Sequence, residues 1–400
     1  MEKLFYEDQY IREFTAELVE VIEKDGTFHV VLDKTAFFPG GGGQFCDLGK
    51  IENIEVIDVY QENGTIYHVT KQKPIKIHRL KCSIDWKRRK DGMHQHLAQH
   101  VLSGCFFSLF NANTTGFHLG QDVSTVDIKG NLDEETIRKA EELANEVIGE
   151  AREVKSFVPA KRELKKLNLR RDLPKTNEEI RVVTIEDLDI NACCGVHPKS
   201  TEELRMIKIK RWEKHKDSTR IEFLAGSRAV SDALKKDKVI TQICRYLSSN
   251  EEEAINSIRN LSEQIKILND DNRKIRDEIA NYEIKTMIED AEKIGGYSVV
   301  KHVYESENVK YVSKVAGKLV ENDNTIALMI VKDEDKVNFI FAASKNVKGI
   351  SMNELLKDSI SLVDGRGGGS PYLAHGGGKN NNNLSSAIDY AMMKLKNALK

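Results

Sequence analysis

Two imidazoles four residues apart, in the run His96-Leu97-Ala98-Gln99-His100, are the sharpest chemical signal in this sequence. On a helix, residues at that spacing share a face, so both rings can converge on one ion. His94 competes for the role, but two residues from His96 it points to nearly the opposite side. Far along the chain, Cys193-Cys194-Gly195-Val196-His197 offers a thiolate and an imidazole, again four apart, beside a glycine that lets the backbone turn sharply. Cys194 is the alternative to Cys193, which alone has the four-residue spacing to His197. Histidine nitrogens with one sulfur suit zinc, which favours tetrahedral N/S sites. Four protein ligands make a closed structural site and three leave a position for water or substrate; His96, His100, Cys193 and His197 fit either arrangement.

The elements that must position these groups read as α+β. Residues 1–90 are expected to form a small β-barrel or curled sheet. Glu17 to Thr35 alternates apolar and polar residues around Lys24-Asp25-Gly26, and Ile54 to Thr70 does so around Asn63-Gly64, a strong hairpin signal. Between them lies the glycine-rich run Phe37-Phe38-Pro39-Gly40-Gly41-Gly42-Gly43-Gln44. Residues 91–228 read as an α+β zinc domain, with helices over Asp91–Phe110 and Asn131–Glu153 and strands over Arg181–Thr184 and Arg205–Arg211. Residues 229–293 carry Ile258, Leu261, Ile265, Leu268, Ile275, Ile279 and Tyr282 in three-four alternation, with Asn272 in the one polar slot. That is a heptad seam, fitted to an intramolecular helix pair or to an intermolecular coil. Residues 294–400 read as a mixed α/β domain with a second glycine-rich loop, Asp364 to Gly378, and a closing amphipathic helix, Ser385 to Leu399.

Composition narrows the class of protein. No run approaches the roughly 18 to 20 apolar residues of a membrane helix. The start Met1-Glu2-Lys3-Leu4-Phe5-Tyr6 lacks a basic, apolar export signal, so a cytoplasmic location is expected. The six cysteines are scattered and read as reduced thiols. The formal charge is only −2, so any polyanion must be met by local patches. Lys87-Arg88-Arg89-Lys90 is one candidate; Lys161-Arg162, Lys165-Lys166 and Arg170-Arg171, interleaved with leucines, form the stronger one.

Four segments together resemble the editing domain shared by alanyl-tRNA synthetase and the free-standing AlaX proteins. They are Thr35 to Gln44, Asp85 to His100, Phe117-His118-Leu119-Gly120 and Cys193 to His197, in the family's order, and the likeness covers about residues 1–228. Asp364 to Gly378 is similar to the signature of the DHH-associated domain that ends alanyl-tRNA synthetase, although inserted glycines and Ser370 break the family's Gly-Arg-Pro. No Asp-His-His motif is present, and nothing before residue 85 is large enough for an ATP-using synthetase core. The resemblance is therefore to the long form of the family, acting in trans.

That resemblance implies hydrolysis of the ester joining serine, or glycine, to the alanine tRNA. An aminoacyl ester is already activated, so such an enzyme needs a placed water and stabilisation of the developing oxyanion. Thr35 and Gln44 flank the glycine loop and are the candidate catalytic residues, one of them bonding the seryl side chain. His118 is a candidate support for the metal site or a core histidine. Lys161, Arg162, Arg170, Arg171 and Arg366 are the candidate tRNA contacts, and the helical segment with the C-terminal domain is a candidate homodimer surface. Two other functions fit: a non-catalytic tRNA- or RNA-binding protein with a structural zinc, and a deacylase for another mischarged pair, because the threonyl-tRNA synthetase editing domain uses a related pattern.

Overall fold

The computed structural model describes residues 1–75, 79–164, 166–173 and 179–399. The chain forms two compact units, Met1–Glu251 and Glu252–Lys400.

The alternating segments near the N-terminus pair into a seven-stranded antiparallel sheet. Its order is Glu13–Ala16, Leu80–Ile84, Gly49–Ile51, Ile54–Glu62, Thr65–Thr70, Thr27–Leu32, Leu18–Lys24. Among the described residues no ladder joins the two edge strands, Glu13–Ala16 and Leu18–Lys24, although only Glu17 separates them in sequence. The sheet is therefore open along that seam, which among the described residues favours the curled sheet over the barrel of the two forms expected. Its inward side chains, including Ile51, Val59, Ile66 and Leu80, share one core with Phe37 and Phe38 of the glycine-rich run and with Met93 and Val196, beside the two halves of the metal motif. The β-sheet is thus packed directly against the chemistry.

Helix α1 is Trp86–Phe110, starting five residues before the expected Asp91 because Asp85 caps it, its carboxylate accepting from the Arg88 N–H at 3.1 Å. It ends at Asn111, in the left-handed conformation (φ 51°). Helix α2, Glu134–Gly149, is capped by Asp133, which accepts from the Thr136 N–H at 2.9 Å. Both helices pack on a four-stranded antiparallel sheet ordered Thr114–Leu119, Ser124–Lys129, Ser218–Ala225, Ile207–His215. A three-stranded sheet of Val154–Phe157, Val182–Ile185 and Asp189–Ala192 completes this core and delivers the chain to Cys193. Helix α3, Ser227–Leu247, follows.

The second unit contains most of helix α4, Glu251–Glu289, and a six-stranded sheet. In that sheet Tyr297–Glu305 runs parallel to Thr325–Lys332 and helix α5, Val309–Leu319, makes the crossover. Strand alternation decides the layers. Ile326, Leu328 and Ile330 face α6 (Met352–Ile360) and α7 (Leu384–Ala398), whereas Ala327, Met329 and Val331 face α5 and the last turns of α4. The stretch read as a second glycine loop is an antiparallel hairpin, Arg366–Gly369 with Leu373–Gly378, in which Gly367 pairs with Gly376. Heptad residues Leu261, Ile265 and Leu268 of α4 are exposed, Leu268 at 66%. Among the described residues no helix is long and apolar enough to cross a membrane.

Candidate metal centre

Helix α1 carries His96 and His100 on one face, with ring centroids 5.2 Å apart. The turn after strand Asp189–Ala192 brings Cys193 and His197 onto that face, the His197 ring lying 4.6 Å from His96 and 5.1 Å from His100. One donor atom from each of the four lies within 4.8 Å of all the others. The sequence pairing is therefore met in space, and Cys193, not the exposed Cys194, supplies the sulfur.

The donor set fits a tetrahedral metal ion. Cys193 Sγ is 3.4 Å from His96 Nε2 and 3.6 Å from His197 Nε2. Zinc–nitrogen and zinc–sulfur bonds of ordinary length at tetrahedral angles place such atoms about 3.6 Å apart. Burial alone would raise the Cys193 thiol; the imidazoles of His96, His197 and His100 outweigh it and hold the group well below the ordinary thiol range. A thiolate among imidazoles is the form that binds metal.

Two histidines are aimed from behind. His96 Nδ1 donates to Gln44 Oε1 at 3.0 Å, and the same oxygen accepts from the Val196 N–H at 3.0 Å. A backbone N–H can only donate, so the amide oxygen is fixed there and His96 must present Nε2 to the cluster. His100 Nδ1 donates to Asp189 Oδ2 at 2.9 Å. His197 differs, since its Nδ1 is buried and finds no partner among the described residues. His94 points away and packs over Gly226, where a Cβ would lie 2.3 Å from its Nδ1; burial lowers its pKa to about 4. It is no ligand.

The glycine run closes over this cluster. Gly40 to Gly43 all have positive φ, and Gly41 and Gln44 exchange backbone hydrogen bonds at 2.9 and 3.0 Å. A Cβ on Gly43 would lie 2.4 Å from the Phe117 ring, and one on Gly195 2.2 Å from His96 Cε1. Side chains at either position would displace the ring they meet. Phe117 is itself 5.7 Å from His96, ring to ring. Strand alternation sends its neighbour His118 outward, exposed, so His118 is neither a core histidine nor a support of the site.

Gln44 and Thr35, on either side of the loop, are both buried. Burial lowers the His68 pKa to about 4, so that ring is neutral near pH 7. Its Nδ1 donates to Val30 O at 2.9 Å, which leaves Nε2 as an acceptor. The Thr35 hydroxyl therefore gives its one proton to His68 Nε2 at 2.8 Å, and it accepts from the Phe37 N–H at 3.0 Å. Replacing Gln44 with Leu is expected to weaken zinc binding about 10- to 100-fold while the protein stays folded, because His96 loses its orienting acceptor. Competition with a chromophoric chelator measures this, and wild-type affinity would remove the assignment.

The basic candidates separate. Lys161, Arg162, Lys166, Arg171 and Arg366 are exposed, and Lys165 lies outside the described residues. Arg170 is buried and ion-paired to Asp189 at 2.7 Å, so it cannot meet a phosphate on the surface as expected. Arg89, within the other basic run, is buried against Asp47. Sequence reasoning missed Asp189, whose signal was an acidic residue on a strand position that faces inward, four residues before Cys193. It also missed Phe117 and Val196, which no chemical pattern distinguishes from ordinary core residues.

Fold and site together define a protein that gathers a cysteine and three histidines closely enough to hold a single ion, between a helix and a turn, under a glycine loop that packs on a β-sheet. Residues 180–222 match the family model described as the threonyl and alanyl tRNA synthetase second additional domain, and residues 295–397 match the DHHA1 domain. The chain is 33% identical to the alanyl-tRNA editing protein AlaX-L of Pyrococcus horikoshii over the full length of both, and it belongs to that family. It is also 28% identical to an alanine–tRNA ligase of Methanobrevibacter smithii, over 97% of this chain but 45% of the ligase. Of solved structures, the C-Ala domain from Aquifex aeolicus alanyl-tRNA synthetase matches 27% of this chain and 96% of that domain, at 24% identity and a TM-score of 0.25.

Proposed function

We propose that this chain is an aminoacyl-tRNA deacylase that acts in trans, in the cytoplasm, hydrolysing the ester between serine, or glycine, and the alanine tRNA. The observation that carries the reading is the four-ligand cluster of His96, His100, Cys193 and His197 beneath the glycine loop, in a chain of an editing family. Zinc held by these residues would supply Lewis acidity, polarising an ester carbonyl or lowering the pKa of a water. The protein's own groups do the rest. Gln44 orients His96, and the loop backbone at Gly41 to Gly43 lets an acyl group approach closely. Thr35 has its hydroxyl proton committed to His68, so toward a seryl hydroxyl it can act only as an acceptor. Either role makes Thr35 and Gln44 contributors to catalysis, through the loop or through the substrate. Lys161, Arg162, Arg171 and Arg366 are proposed to meet phosphates, making binding salt-dependent. The exposed seam of α4, with the C-terminal domain, is proposed to pair two copies.

A second reading draws on the same cluster. Four protein donors complete a tetrahedral site, as a structural zinc requires, and the protein would then bind tRNA without hydrolysing it. Release of serine from seryl-tRNA(Ala), set beside glycyl-tRNA(Ala) and seryl-tRNA(Thr), separates the readings. Hydrolysis of the first by wild type, lost in His96→Ala, is the expected result. Metal-bound, tRNA-binding wild type without hydrolysis would favour the binder, and faster cleavage of seryl-tRNA(Thr) would reassign the substrate.

A further inference from the structure

Behind His100 runs a buried chain of polar side chains that belongs neither to the ligand set nor to the glycine loop. Arg170 Nε donates to Asp189 Oδ1 at 2.7 Å, while Asp189 Oδ2 accepts from His100 Nδ1 at 2.9 Å. Arg170 Nη1 also donates to Thr114 Oγ1 at 3.1 Å, and Thr114 passes its own proton to Ser103 Oγ at 2.6 Å. Every member is more than nine-tenths buried. The Arg170 N–H donates to Ile190 O at 3.0 Å, so the segment carrying it docks on the strand that leads to Cys193.

We propose that Arg170 and Asp189 are positioning residues of the metal centre: Arg170 fixes the Asp189 carboxylate, which fixes the His100 ring so that Nε2 faces the other ligands. The division of the carboxylate carries the argument. Oδ1 is taken by the guanidinium Nε, and Oδ2 is taken by the imidazole with a longer bond from Arg170 Nη2 at 3.4 Å, so the carboxylate cannot turn without breaking a buried, charge-assisted bond. A carboxylate behind a ligating histidine sets its tautomer and orientation. The arrangement also accounts for the burial of Arg170: a guanidinium enclosed in protein needs a carboxylate and further acceptors, and it has them here. A cavity lined by Asn168, Arg170, Glu186 and Asp189 lies beside the pair. Truncating Arg170 would let water reach the freed oxygen, and the carboxylate would no longer be held in one rotamer.

The inference rests on the metal-centre reading, and metal binding by the full chain tests it without reference to activity. Apo protein is titrated with zinc against a chromophoric chelator, and the cobalt(II) form is examined by visible absorption, which reports ligand geometry. Asp189→Asn offers one oxygen for two donors and is expected to lower affinity about 10- to 100-fold, with a shifted cobalt spectrum. Arg170→Met should move both readouts the same way, and Arg170→Lys, which keeps the charge but not the fork, should recover part of the loss. Because the two act in series, Arg170→Met with Asp189→Asn should bind no more weakly than Asp189→Asn alone. Wild-type affinity and an unchanged cobalt spectrum in folded Arg170→Met would overturn the relay, as would additive losses in the double variant. If Arg170→Met does not fold, wild-type affinity in Arg170→Lys overturns it equally. Wild-type protein that binds no metal sinks the metal centre itself; metal-binding wild type with indifferent variants sinks only the relay.

Discussion

Cys193→Ala is expected to give a folded protein that purifies without zinc and hydrolyses seryl-tRNA(Ala) about 10³-fold more slowly, the scale of a lost electrostatic contribution of several kcal/mol. The reason lies in how charge is distributed in the cluster. Three of its four donors are imidazoles, and only Cys193 brings a negative charge to offset that of a divalent cation. The imidazoles in turn favour the thiolate against the effect of burial, so sulfur and nitrogens form one coupled unit. Removing the sulfur leaves three imidazoles and no anionic ligand, and of these His197 has no hydrogen bond at Nδ1 among the described residues to hold its orientation. The fold should survive, because Cys193 packs only at the margin of the core formed by α1, α2 and their sheets. Elemental analysis of protein purified without chelator, beside the rate of serine release, checks both halves. The neighbouring substitution Cys194→Ala should keep stoichiometric metal; a zinc-replete Cys193→Ala would take the sulfur out of the site.

Much of this centre was legible from spacing, because the spacing is itself the physics. His96 and His100 share a helix face whatever surrounds the helix, and the turn at Gly195 folds Cys193 toward His197. The groups that aim the ligands were not legible in the same way. Asp189 and Arg170 come together only when one segment docks on another, so a basic run that reads as a solvated or phosphate-binding face contains one arginine that turns inward. Gln44 was singled out for its place beside the glycines. Its bonds to His96 and Val196 span long sequence separations that no local pattern encodes.

The same division runs through the fold. Alternation in Ile54–Glu62 and Thr65–Thr70 and the turn at Asn63-Gly64 give a hairpin directly. Closure of the sheet depends on pairing between its two edges, which alternation does not specify, and the edges at Glu13–Ala16 and Leu18–Lys24 stay unpaired with each other among the described residues. At Asp364 to Gly378, composition suggested a loop because glycine lowers strand propensity; Gly367 and Gly376 pair across a hairpin nonetheless. The heptad pattern of α4 correctly marks a long helix, and its exposed apolar seam is the property from which pairing of two copies is proposed.

Arg89→Met is expected to destabilise the first unit by about 3–5 kcal/mol, the cost of leaving one member of a buried ion pair without its partner. Arg89 has no exposed surface, and its Nε lies 3.0 and 2.9 Å from the two oxygens of Asp47. The guanidinium also donates to the Gln9 and Ala36 carbonyls, and Asp47 accepts from the Phe38 N–H at 2.6 Å. Ala36 and Asp47 stand on either side of the glycine run, and Arg89 stands two turns before His96 on α1. This one side chain therefore ties both ends of the loop to the helix beneath it. Methionine keeps much of the apolar stem and removes every one of those bonds. Calorimetry should show the transition of Met1–Glu251 lowered by roughly 10 °C, while that of Glu252–Lys400, which has its own cores, is unmoved. Replacing both partners, Arg89→Met with Asp47→Leu, should restore part of the loss because no charge is left stranded. If Arg89 were instead a surface phosphate contact, the single variant would keep its stability, and tRNA binding would weaken with a shallower dependence on salt. Unchanged calorimetry with that shallower slope would put Arg89 back on the surface.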